Sequence, residues 1–99
     1  MKKIIIISNT AFSIEKFREH YLSKVTNYQF AIYTPNQIPR LKKVHRNIKV
    51  KKFNTNNVYD DFKELYKIME NSNSSNIVVY SYKYQLIVSI LKKFFLEIM

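Results

Sequence analysis

The first twenty-five residues constrain this chain more than any other stretch. Ile4-Ile5-Ile6-Ile7 is a β-branched run, Ser8-Asn9-Thr10-Ala11-Phe12-Ser13 is a polar turn, and residues 14–25 carry an amphipathic pattern. A strand that is apolar without alternation is covered on both faces, which is how a parallel sheet begins. In such sheets ligands bind beyond the carboxyl ends of the strands. This puts Asn9, Thr10 and Ser13 at the expected functional edge. Neither the turn nor the rest of the chain contains glycine, which excludes the dinucleotide fingerprint and its close backbone approach to a pyrophosphate.

The rest of the chain continues the alternation. Strand one is read over 3–8 and helix one over 14–25, with Ser13 as N-cap and Ile14, Phe17, Tyr21, Leu22 and Val25 on its inner side. Strand two is read over 28–34 and ends at Pro35. Residues 35–47 hold two prolines and four basic residues and read as a loop. Residues 48–53 alternate apolar side chains with Lys49, Lys51 and Lys52, which suits an edge strand guarded by lysine. A second helix comes next over 58–71, with Val58, Phe62, Leu65, Tyr66 and Met69 on one face. Asp60 and Asp61 lie in its first turn, where the helix dipole favours negative charge. Strand four is read over 76–81 and a last helix from residue 83 onward. The order β-α-β-β-α-β-α predicts an α/β, Rossmann-like domain. Its sheet is mostly parallel, with strand order 3-2-1-4 and helices on both faces.

Ninety-nine residues make one domain. No cysteine is present, and the two histidines, His20 and His45, sit in different segments. Neither a disulfide framework nor a metal centre is therefore expected. The net charge of +10 predicts an anionic partner: nucleic acid, a membrane surface or a phosphorylated ligand. An AT-rich coding sequence would account for part of the lysine content without any partner. Residues 86–99 are the most apolar segment, but Lys92, Lys93 and Glu97 interrupt them. They fall short of the roughly 20 apolar residues a membrane span needs, and the chain reads as cytoplasmic.

Two segments carry a resemblance. Ser8-Asn9-Thr10-Ala11-Phe12-Ser13-Ile14-Glu15-Lys16-Phe17-Arg18-Glu19-His20-Tyr21-Leu22 resembles the opening of bacterial family-4-like glycosyltransferases, with their Phe-Arg pair at Phe17-Arg18. Ile77-Val78-Val79-Tyr80-Ser81-Tyr82-Lys83-Tyr84-Gln85-Leu86 resembles the fourth-strand segment of that family, with Tyr80, Ser81, Lys83, Gln85 and Leu86 in register. Tyr33-Thr34-Pro35 is similar to its second strand. Tyr84 stands where the family has proline, and Val88 where it has a small residue. The resemblance implies a GT-B enzyme of capsular or surface polysaccharide synthesis. Such enzymes have two Rossmann-like domains, the first receiving the acceptor and the second the nucleotide-sugar. The 99 residues correspond to part of the acceptor side alone. On this reading they form a truncated N-terminal domain, inactive without a donor-binding half and holding no cofactor of its own. The implied acceptor is a lipid-linked glycan, with peripheral contact at the inner face of the plasma membrane.

Each candidate residue has a plain structural reading beside the functional one. Asn9, Thr10 and Ser13 suit acceptor hydroxyls or phosphate, and equally turn formation and helix capping. Arg18 suits an acidic acceptor or a lipid pyrophosphate, and equally an ion pair with Glu15 or Glu19. Tyr80, Ser81 and Lys83 join them through the resemblance, Lys83 on the same sheet edge as Asn9. Arg40, Lys42, Lys43 and Arg46 open a basic run that continues to Lys52, suited to anionic headgroups or simply solvated. Nucleic acid is not an expected partner, because no recognised binding motif accompanies the charge. Residues 86–99 are apolar nearly all round, which predicts self-association. The rival reading from another class is a non-catalytic basic module for nucleic acid or an anionic membrane. A response-regulator reading fails for want of paired acids after strand one.

Overall fold

The strand that carries Ile4 to Ile7 takes an inner place in the sheet because it is apolar on both sides. The computed structural model describes residues 2–71 and 76–93, without the side chain of Phe17. Four strands form one sheet: β1 (Lys2–Ser8), β2 (Tyr28–Pro35), β3 (Ile48–Phe53) and β4 (Asn76–Tyr80). Their order is β3-β2-β1-β4 and every neighbouring pair is parallel. The expected strand order is present, in a sheet that is wholly parallel.

Side chains leave successive residues on opposite faces, and the two cores obey that alternation. On one face Ile5, Ile7, Ala31 and Phe53 pack with helices α3 (Val58–Glu70) and α4 (Tyr82–Leu91) through Leu65, Ile68, Met69, Ile87, Val88 and Leu91. On the other face Ile6, Phe30, Ile32 and Ile48 pack with Ile14, Leu22 and Leu41. Burying an isoleucine fully stabilises the fold by about 1.5–3 kcal/mol. Ile5, Ile6 and Ile7 are all buried.

The helical run after β1 departs from the expected helix. It consists of α1 (Ala11–Ser13), a π-segment (Ile14–Arg18) and α2 (Glu19–Ser23). A π-turn holds more residues than an α-turn and so rotates the next stretch of helix about its axis. Ile14 and Glu19 therefore point inward, while Tyr21 is 71% exposed and Val25 is also exposed. The inner stripe read with α-helical spacing is accordingly wrong beyond Ile14 and Leu22. Its Phe17 side chain lies outside the described residues. Thr10, not Ser13, is the N-cap, its hydroxyl accepting the Ser13 N–H. The expected stripe on α3 is present except at its start: Leu65 and Met69 are buried and Phe62 and Tyr66 pack against the same core, joined by Asp61 and Ile68, while Val58 is exposed.

No helix connects β2 to β3. One buried carboxylate organises the connecting loop instead. Glu19 accepts the backbone N–H groups of Lys42 (2.9 and 3.0 Å) and Lys43 (3.3 Å), and meets His45 Nε2 at 2.7 Å. Leu41, just before them, packs into the core below. Asn47 Nδ2 donates to the carbonyls of Leu22 and Val25, occupying acceptors that a helix end leaves open. Asn36 takes the left-handed conformation at φ 62°, a position that asparagine tolerates in a chain without glycine. Its side chain exchanges hydrogen bonds with the backbone of Thr55, tying the turn after β2 to the turn after β3.

Burial pushes the Glu19 carboxyl up, but the hydrogen bonds from Lys42, His45 and Lys43 outweigh it and leave its pKa below the ordinary glutamate value. A lowered carboxylate pKa gives stability that is present above the unfolded-state pKa and lost as pH falls through the folded one. Glu19→Gln should cost about 2 kcal/mol at neutral pH, read by urea unfolding. The gap between the two proteins should close on acidification below the ordinary glutamate range.

Candidate functional site at the sheet switch point

The chain leaves β1 toward β2 on one side and reaches β4 on the other, so the sheet order reverses between β1 and β4. Loops diverge at such a point and open a crevice beyond the carboxyl ends. Ser8 and Tyr80 pair in register there, which brings the turn after β1 alongside the turn after β4. The predicted residues Asn9, Thr10, Ser13, Tyr80, Ser81 and Lys83 all lie on these two turns or at their helix starts, and Arg18 joins them from the π-segment.

The wall after β1 is built from hydroxyls. Ser8 and Ser13 Oγ stand 2.7 Å apart, and each also lies within hydrogen-bond range of the Thr10 carbonyl. Two hydroxyl protons serve these three contacts, so one contact is always unmade and the cluster can re-orient toward a ligand. Thr10 Oγ1 is engaged in capping. Asn9 is exposed.

The wall after β4 is built around Arg18. Its guanidinium lies over the Tyr80 ring at 4.0 Å, a cation–π contact between the π-segment and β4. Arg18 Nε is buried without a hydrogen-bond partner. The two ion pairs among the described residues are His45–Glu19 and Lys83–Asp61, so the expected pairing of Arg18 with Glu15 or Glu19 is absent. Glu19 is turned away to the loop. A half-buried guanidinium with an unpaired donor and no carboxylate is electrostatically open to an anion.

Ser81 caps α4, its Oγ accepting the Tyr84 N–H at 3.3 Å. Tyr82 is 93% exposed, leaving Tyr80 as the tyrosine turned to the sheet. Lys83 meets Asp61 Oδ2 at 2.8 Å. The contact is ionic without good hydrogen-bond angles, since Oδ2 accepts no well-formed hydrogen bond. Thr55 donates to Asp61 Oδ1 at 2.8 Å and Tyr84 at 3.4 Å. Asp61 is wholly buried, whereas the Lys83 side chain is 57% exposed. So mobile a cation adds little by itself; its role is to keep the buried carboxylate from standing unpaired, which would be costly. Burial first, then the Asp61 charge and hydrogen bond, push the Tyr84 phenol up to about 12.

The basic loop does not gather as one patch. Lys42 and Lys43 line a hollow with Glu15, Lys16 and Glu19, whereas Arg46 lines a different one with Lys3, Lys49 and Lys51. Arg40 is exposed and lines neither. Of the apolar last helix, Ile87, Val88 and Leu91 are buried and Leu86 is 63% exposed; residues 94–99 lie outside the described residues. Among the described residues no helix is long and apolar enough to cross a membrane, and no three His, Asp or Glu side chains gather to hold a metal.

Sequence reading missed Asp61, Glu19, Tyr84, Thr55, Asn36 and Asn47. Asp61 carried a usable signal, because it stands four and seven residues before Leu65 and Ile68 on one helix face. A carboxylate on a buried stripe implies partners. Glu19 carried none, since the π-segment that turns it inward has no sequence mark. Comparison with family models, curated proteins and solved structures found no match for this chain.

Tyr84→Phe removes one donor to Asp61 and should destabilise the fold by about 1 kcal/mol. A raised tyrosine pKa gives stability that is present below the unfolded-state pKa and lost as pH rises through the folded one. The difference between the two proteins should therefore vanish as pH climbs from the ordinary tyrosine range to about 12. Spectrophotometric titration of the variant should lack the step near 12.

Proposed function

We propose that this domain is the acceptor side of a glycosyltransferase, holding a phosphate-bearing, lipid-linked glycan in the β1/β4 crevice. The observation that carries the reading is the Arg18 guanidinium stacked on Tyr80 without a carboxylate partner, on the turn next to the one that holds the Ser8 and Ser13 hydroxyls. A guanidinium suits the planar, two-point recognition of a phosphate, and hydroxyls suit sugar. The resemblance at residues 8–22 and 77–86 supports the same assignment, and the parallel sheet is of the type such enzymes use. Fold alone would not carry it, because this architecture serves many activities.

In the proposed reaction a second Rossmann-like unit supplies the nucleotide-sugar, and the acceptor hydroxyl attacks the sugar's anomeric carbon as the nucleotide departs. This domain contributes position: Arg18 would hold the acceptor phosphate, and Ser13 and Asn9 would orient the glycan, Ser13 backed by the buried Ser8 hydroxyl. Lys83 is committed to Asp61 in the free domain and would supply a second cation only by swinging away from it.

An NMR titration of the labelled domain with a short-chain prenyl-pyrophosphate disaccharide tests the reading. Amide shifts should concentrate at residues 8–18 and 80–83, and Arg18→Ala should weaken binding by about 10- to 100-fold, the loss of a charge-assisted hydrogen bond. A nucleotide-sugar alone should leave those amides unmoved. Binding that ignores Arg18, or shifts that avoid both turns, would sink the assignment.

A further inference from the structure

On the β3 side of the sheet, across β2 and β1 from β4, lies a second cationic feature, which does not depend on the crevice reading. Lys49 pairs in register with Ala31, Lys51 with Tyr33, and Lys3 with Gln29. All three lysines therefore share the face that carries Ile5 and Ala31 and, like Gln29, are exposed. With Arg46 from the loop they line a hollow of about 130 Å³ floored by Ala31. Among the described residues no carboxylate lines it and none of the four cations takes part in an ion pair.

Lysines on an edge strand usually guard it against pairing with another sheet, and Lys49 and Lys51 fit that role. Lys3 does not. It lies on β1, with β2 between it and the β3 edge. Arg46 comes from a loop. Four like charges brought to one small hollow from two separate stretches of chain, position 3 and positions 46–51, repel one another when it is empty. An anion seated there relieves that repulsion.

We infer that this hollow binds the phosphate backbone of single-stranded nucleic acid. The residue types in its wall favour a strand over a membrane. Lys49 and Lys51 are two residues apart, about 6.6 Å along the strand, so they can track successive phosphates of an extended chain. A positively charged groove that tracks the backbone is how such strands are held; the Tyr33 ring, 5.8 Å from the Lys51 ammonium, packs against the core and does not line the hollow. Among the described residues no exposed large apolar side chain lines the hollow to insert into a bilayer. The sequence pattern disfavoured nucleic acid for want of a motif; the site joins residues from position 3 to position 51, and no contiguous motif spans that distance.

Fluorescence anisotropy with a labelled oligothymidylate across a salt series tests the inference. Four phosphate contacts predict a log–log salt slope of about −3 for a single strand. Lys49→Gln/Lys51→Gln should reduce that slope by about half. Lys42→Gln/Lys43→Gln, which removes the same charge from the other hollow, should leave it unchanged. Lys3→Gln is the decisive single variant, since it should weaken binding severalfold where an edge-guarding role predicts no change; circular dichroism and thermal melts establish that each variant is folded. Equal losses in both double variants would reduce the effect to net charge and overturn the site. So would flotation with phosphatidylglycerol vesicles that depends on Lys49 and Lys51 while oligonucleotide binding does not.

Discussion

Everything in this domain is arranged around a strand that cannot face water on either side. Ile5, Ile6 and Ile7 are buried in alternation against two separate cores. Each isoleucine turned one way needs a layer above the sheet, and each turned the other way needs a layer below. That requirement places β1 in the middle, sends the chain over one face to reach β2, and brings α3 and α4 back over the other. The reversal of direction between β1 and β4 is the result, and with it the crevice at their carboxyl ends. The location of the candidate site is thus a consequence of where the apolar strand must sit.

Two buried carboxylates then join what the hydrophobic layers leave loose. Glu19 substitutes for a missing crossover helix by gathering the N–H groups of Lys42 and Lys43 and the ring of His45. Asp61 links the turn after β3 to the start of α4 through Thr55, Tyr84 and Lys83. Both are costly to bury alone and well served where they lie. Asparagines do related work. Asn36 takes a backbone conformation that a glycine-free chain must find elsewhere, and Asn47 closes the end of α2.

The cations divide into those with partners and those without. Lys83 neutralises Asp61 and His45 meets Glu19. Arg18 beside β4, and Lys3, Arg46, Lys49 and Lys51 on the β3 side of the sheet, have no acidic partner among the described residues. Part of the net charge of +10 thus lies where no carboxylate compensates it, and such positions are where anionic ligands gain most.

The strand positions, the parallel order 3-2-1-4 and the two helical layers were legible in the sequence, because each rests on local periodicity and on the short reach of connections. The turn residues Asn9, Thr10, Ser13, Ser81 and Lys83 were legible as an edge for the same reason. What each of them does was not. Thr10 rather than Ser13 caps the first helix, because the run begins earlier and passes through a π-turn that no pattern of residues announces. Lys83 is bound to an aspartate 22 positions away, and Lys3 shares a hollow with residues beyond position 45. Apolar spacing acts over one or two turns of chain and can be read along it. The pairing of charges depends on which side chains meet across the sheet, and only the packed tertiary structure decides that.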